Sequence, residues 1–250
     1  MANREELFVL SEEVNNSVAI RISGRLEMLS INFFVFNRNY QELKRIIEGV
    51  KKPEQIMRLW DLRNRHELDI VINEVIRLLH NFLASAKSLV EHTRIVISDW
   101  YQETEFLKEY ETQVASRFVN NPIIGFIEEL RNFNLHFSLP ITDATLSIQM
   151  DKDKRSGTEN FSFVIKKYGL LQWSGWTQKG KPFLKASKDE IEIGNLVDDY
   201  YQQIMDFHSW MEKRLREIHS EEFAWLSEMN KRIINAMDDE ERQARGLTKQ

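Results

Sequence analysis

Two apolar stripes constrain this chain more than any other feature. From Leu26 the apolar positions fall at Leu29, Phe33, Phe36, Tyr40, Leu43, Ile47 and Val50, in unbroken steps of three and four. That rhythm puts every member on one face of a helix with about 3.6 residues per turn. A second stripe, Leu68, Ile72, Val75, Leu79, Phe82, Ala86, Leu89, Thr93 and Val96, keeps the same steps. Two helices of this length, each apolar on one side, require a partner for that side. A bundle of long antiparallel helices follows.

Punctuation divides the rest. Pro53 opens a short helical piece after Gly49. A third helix is expected over 103–119, with Phe106, Tyr110, Val114 and Phe118 on one face. Asn121 and Pro122 then supply an N-cap and a first helical position for a fourth. It carries Ile123, Phe126, Ile127, Leu130 and Phe133 and ends before Pro140.

The period then changes to two. Ala144, Leu146, Ile148 and Met150 alternate with polar residues, as do Phe161, Phe163 and Ile165, and Leu170–Trp176 reads as a third strand. The stretch 141–186 is therefore expected to be a small antiparallel β insertion. Ser187 and Glu190 fit a capping box that restarts helix. The stripe then runs Ile193, Val197, Tyr200, Ile204, Phe207, Met211, Leu215 and Ile218, and onward through Trp225 and Met229 to Ile233. The expected organisation is mainly α: a bundle over 1–140, the insertion over 141–186, long helices completing the bundle over 187–237, and a flexible tail over 238–250.

Composition excludes several classes. Nine Gly and four Pro are too few for a sandwich of many short strands, and without Cys there is no disulfide, thiolate nucleophile or Cys-ligated zinc. No apolar run is long enough to span a membrane, and the acidic start MANREELFVLSEE lacks the apolar core of a signal peptide. A cytoplasmic protein is expected. The net charge is −5, yet residues 151–188 hold nine Lys or Arg against three acids, +6 in all, leaving −11 elsewhere. Phe161, Phe163, Tyr168, Trp173, Trp176 and Phe183 interleave with those cations. Base stacking beside phosphate contacts uses that combination, with Lys179, Lys181 and Lys185 as candidate RNA-binding residues. Aromatics turned to the bundle and lysines guarding sheet edges are the competing account.

Two apparent motifs carry little. Gly175–Lys181 has the spacing GxxxxGK, but Pro182 stands where the magnesium-binding hydroxyl belongs, and the segment falls between expected strands with no helix to open. His208 and Glu212 share a helix face as two metal-ligand types without a third, so neither a metal nor another cofactor is expected.

The segment Arg131-Asn132-Phe133-Asn134-Leu135-His136 is different. Asn132 and His136 share a face, whereas Arg131 and His136 stand about 140° apart on an ideal helix. They converge through the reach of arginine, through loosening of the helix end, or across a two-fold axis. A guanidinium holds phosphate bidentately and stabilises transition-state charge, and an imidazole exchanges protons near neutral pH. Together these suit RNA cleavage. By spacing alone, an arginine reaching out from a helix and a histidine at its C-terminus account for them as well.

This segment resembles the signature of the HEPN superfamily of helical proteins: Arg, a polar residue, then His after four to six intervening residues. The pairing of Leu79–Arg94 with Leu130–Pro140 also resembles members of that group, and the likeness spans about 25–140. It implies a metal-independent endoribonuclease working as a homodimer, of the kind used as toxins or defence effectors beside an antitoxin or effector partner. Arg131 would bind the scissile phosphate, His136 would transfer the proton, and Asn132 would orient one of them. Products would end in a 2′,3′-cyclic phosphate. Members that keep the fold only to bind RNA or a protein make a non-catalytic dimer the alternative. Arg63 and His66 are too close in sequence to fit the signature. His80, Asn81, Glu91, His92 and Arg94 are candidates to line the same cleft.

Overall fold

The computed structural model describes residues 2–150 and 157–237. Ten helices are found among them: α1 (Ala2–Asn16), α2 (Val18–Gly49), α3 (Pro53–Trp60), α4 (Arg65–Trp100), α5 (Glu105–Phe118), α6 (Pro122–His136), α7 (Lys167–Leu170), α8 (Lys181–Ala186), α9 (Ile193–Ile218) and α10 (Ser220–Ala236). Three antiparallel strands, β1 (Thr142–Met150), β2 (Gly157–Lys166) and β3 (Glu190–Glu192), form one sheet in the order β1-β2-β3. The expected class, long antiparallel helices with a small antiparallel sheet, is the observed one.

The chain divides into two compact units. The larger, Asn32–Phe207, holds the main core. Its centre is aromatic. Phe36 of α2 meets Phe82 of α4 at 5.3 Å, and Tyr200 of α9 approaches both rings edge-on at 6.2 and 5.9 Å. Nearby, Tyr40 and Tyr201 stack at 3.6 Å. Tyr40 donates its hydroxyl to Asp198 (2.9 Å), which also accepts from Lys44 at 2.7 Å. Burial, aided by Asp198, pushes the Tyr40 phenol above its ordinary value. This cluster therefore fastens α2 to α9, with neither phenol poised to ionise.

Among the described residues, the smaller unit comprises those up to Ile31 and those from His208 to Met237. Leu10 and Val14 of α1 pack with Leu226 and Met229 of α10. A break at Ser17 separates α1 from α2: the Ser17 hydroxyl donates to the Val14 carbonyl and accepts from Ile20 N–H. Helix α2 thus begins eight residues before the stripe from Leu26 suggests. The last stripe likewise breaks at His219, where α10 starts anew. The tail 238–250 lies outside the described residues.

Two expectations about 141–190 are corrected. Leu170–Trp176 is no strand. Leu171 N–H bonds to the Lys167 carbonyl and Trp173 N–H to Leu170, so the chain coils back on itself. The reason is geometric. Residues three apart in a strand face opposite ways, but both indoles are wanted on one side. Trp176 stacks on Phe126 at 5.5 Å, and Trp173 meets Phe133 at 5.8 Å. The third strand is Glu190–Glu192 instead, paired with Val164–Lys166. Nor does a capping box form there. Ser187 donates its hydroxyl to the Phe183 carbonyl at 2.6 Å, closing α8, and Glu190 pairs with Lys166.

Candidate functional site

Helix α6 carries the motif, and its start is built as its sequence dictates. Asn121 adopts extended backbone and its side chain accepts from Ile123 N–H at 3.2 Å, with Pro122 in the first turn. Phe126, Ile127, Leu130 and Phe133 are buried, which fixes the rotation of the helix. That rotation leaves Arg131 and Asn132 half-buried and His136 exposed in the last turn. The Arg131 guanidinium donates to Asn132 Oδ1 at 3.2 Å, so among the motif residues Asn132 orients the arginine. Between them and His136, both polar atoms of the Asn134 amide are buried without a hydrogen-bond partner among the described residues.

The charge of Arg131 reaches Glu91 of α4. The Glu91 carboxyl is held below its ordinary value, chiefly by a hydrogen bond from Lys87 (2.6 Å) and further by the charges of Lys87, Arg94 and Arg131. Arg94 lies 3.6 Å from Glu91. On the other side, Lys87 reaches to 3.9 Å from Glu128, and Glu128 also pairs with Lys179 at 3.2 Å. A chain of ion pairs, Arg94–Glu91–Lys87–Glu128–Lys179, therefore runs past the motif arginine to the 171–180 loop.

That loop is held by a neighbour of Glu128. Glu129 is 4% exposed, and its carboxylate accepts from Thr177 N–H (3.0 Å) and from the Thr177 hydroxyl. Gly125 has no room for a side chain, since a Cβ there would strike the Lys179 carbonyl, and a Cβ on Gly180 would strike Glu129. A short helix, α8, does follow at Lys181, contrary to expectation. The GxxxxGK spacing nonetheless reflects packing. A carboxylate of the protein occupies the face of the loop where a phosphate would lie, and the glycines allow α6 to approach.

The other candidates scatter. Lys181 and Lys185 are exposed on α8, which packs on α6. Phe161, Phe163 and Trp176 are core, Trp173 and Phe183 pack against it, and Tyr168 is exposed. All but Tyr168 therefore face the bundle, as in the competing account of this segment, and the described residues form no stacking platform beside the lysines. Arg63 binds Asp61, whose carboxyl it lowers to about 2. His92 shares a hydrogen bond of 2.6 Å with Asn32. The His80 Nδ1 is buried without a partner among the described residues. His208 is buried. Burial lowers its basicity, with Glu212 opposing.

No family model, curated protein or solved structure matches the chain.

Sequence reasoning singled out Glu91 and Arg94 as cleft candidates and passed over Lys87, Glu128 and Glu129. Lys87 and Glu91 are four apart on one helix, a spacing that signals a pair. Nothing in the sequence distinguishes Glu129, which is buried, from the partly exposed Glu128 beside it. Among the described residues no three His, Asp or Glu group as metal ligands, and no helix is long and apolar enough to cross a membrane.

Proposed function

We propose that this chain is an endoribonuclease that uses Arg131 and His136 as a homodimer and needs no metal ion. The observation that carries the reading is the end of α6. There an exposed imidazole and a half-buried guanidinium, oriented by Asn132, stand within little more than one turn. The two side chains supply what the reaction requires. Imidazole takes the proton from a ribose 2′-OH, whose oxygen attacks the adjacent phosphorus. The bond to the 5′-oxygen breaks, and that oxygen receives a proton from the imidazole of the second copy. The products are a 2′,3′-cyclic phosphate and a free 5′-hydroxyl. Arg131 neutralises the charge that gathers on the phosphorane oxygens.

The angular separation on α6 is what calls for a second copy. A two-fold axis near the helix end brings one chain's arginine to the other's histidine. The test is cleavage of a labelled RNA by purified protein, in EDTA, followed by analysis of the new ends. A cyclic phosphate that forms in EDTA supports the reading.

One observation favours the non-catalytic alternative. Arg131 already has a neutral partner in Asn132 and an acidic neighbour in Glu91. In that reading the same helix end binds RNA or a protein without cleaving it. Intact RNA recovered from a stable complex would support it.

A further inference from the structure

We infer that Lys87, Arg94 and Lys179 form, with Arg131, a track for the phosphates of a single RNA strand, and that Glu91 and Glu128 occupy it when RNA is absent. The inference rests on the reading of the motif given above, and it adds a route by which RNA reaches that motif.

The track is assembled from three parts of the fold. Lys87 and Arg94 stand on α4, about two turns apart. Arg131 and both packing surfaces for the loop belong to α6. Lys179 comes from the loop between α7 and α8. Lys87 bridges two carboxylates, at 2.6 Å from Glu91 and 3.9 Å from Glu128. Arg94 and Lys179 close the two ends, at 3.6 and 3.2 Å. Three cations therefore share two anions, and Arg131 adds a fourth positive charge close enough to be felt by Glu91.

Its position is fixed by buried contacts. Lys179 is carried on a backbone pinned by Glu129 to Thr177 and pressed against Gly125. Its own side chain is 64% exposed, as is that of Arg94. The backbone beneath Lys179 is held by buried contacts, while the Lys179 and Arg94 side chains reach solvent. Exposed ion pairs contribute only about 0–1 kcal/mol each. A phosphate diester offers the same cations an oxygen anion without requiring them to leave their places. RNA binding then exchanges carboxylates for phosphates and releases counterions.

This predicts effects of opposite sign within one network. A purely structural network loses on removal of either partner. A phosphate track loses when a cation is removed and gains when a competing carboxylate is removed.

The experiment is anisotropy of a fluorescein-labelled, fully 2′-O-methylated single-stranded RNA titrated with the full chain across a series of KCl concentrations. The probe cannot be cleaved, because cleavage needs the 2′-OH. Lys87→Ala, Arg94→Ala and Lys179→Ala should each weaken binding and reduce the log–log salt slope by about 0.7, the value for one phosphate contact on a single strand. Glu91→Gln and Glu128→Gln should tighten binding. The inference is overturned if the wild-type protein does not bind the probe, if the cation variants leave the slope unchanged, or if the glutamate variants weaken binding as the cation variants do. Its failure is separable from that of the nuclease reading. An unchanged slope with cleavage lost in Arg131→Ala removes the track and leaves the nuclease. Opposite-sign binding effects with cleavage retained in the Arg131→Ala, His136→Ala double variant leave the track and remove the nuclease.

Discussion

The buried carboxylate of Glu129 accepts both the main-chain N–H and the hydroxyl of Thr177, tying the middle of α6 to a loop 48 residues further along the chain. A carboxylate 4% exposed must have its lone pairs met, and Thr177 meets them. The same contact brings Lys179 beside Glu128 and sets Trp176 against Phe126. The motif helix and the 171–180 loop are therefore joined by a buried polar tie, an ion pair and a ring stack.

Breaking this tie should be costly. Glu129→Ala leaves a main-chain donor of the loop without its acceptor and is expected to destabilise by about 1–3 kcal/mol. Gly125→Ala drives a methyl into the Lys179 carbonyl and is expected to cost a similar amount, about 1–3 kcal/mol, by overpacking. Urea denaturation measures both. Glu128→Ala, one residue away and partly exposed, should lie within about 0.5 kcal/mol of wild type.

Acid should weaken the protein before its carboxylates titrate. Burial lowers the basicity of His208 in the folded chain below the ordinary value of 6.5. Between that value and the lower folded one, the unfolded chain binds the extra proton and the folded chain does not. The contribution is therefore complete above about pH 6.5 and is lost as pH falls through the folded value. Thermal unfolding should show a falling midpoint from pH 7 to pH 5, flattened in His208→Gln. Equal slopes in the two proteins would assign the acid sensitivity elsewhere.

Much of this fold could be read before any coordinates. Asn121 and Pro122 act locally, so their cap is visible in the sequence. The stripes through Phe36 and Phe82 repeat often enough to fix a helix face. Reading failed where a distant partner decides. Trp173 and Trp176 turn to one side because Phe126 and Phe133 wait there. Ser187 gives its hydroxyl to the end of α8 and takes no part in starting the next helix. Leu7, Leu10 and Val14 have the helical spacing of α1, but three positions before the break at Ser17 make a short signal. At the candidate site, the motif residues were visible and their electrostatic setting was not. The pair that Lys179 makes with Glu128 of α6, and the influence of Arg131 on Glu91 of α4, depend on how the elements pack.

Reversing charge on the basic segment gives a further check. Lys179, Lys181 and Lys185 are exposed beside α6, one on the loop and two on α8. Changing all three to Glu should weaken RNA binding and flatten its salt dependence, because fewer counterions are released. The circular dichroism spectrum should be unchanged, since none of the three is buried. Unaltered salt dependence would leave these lysines as solvation of the surface.

The most direct test of the central claim is RNA cleavage by Arg131→Ala and by His136→Ala, each measured in EDTA beside wild type and His66→Ala. His66 is exposed and lies outside the motif. The account predicts that each motif variant stays folded and loses activity by about 10²-fold or more, the scale of acid–base and electrostatic groups, while His66→Ala cleaves as wild type does. Cleavage that survives the loss of both Arg131 and His136, or that stops on adding EDTA, would contradict it.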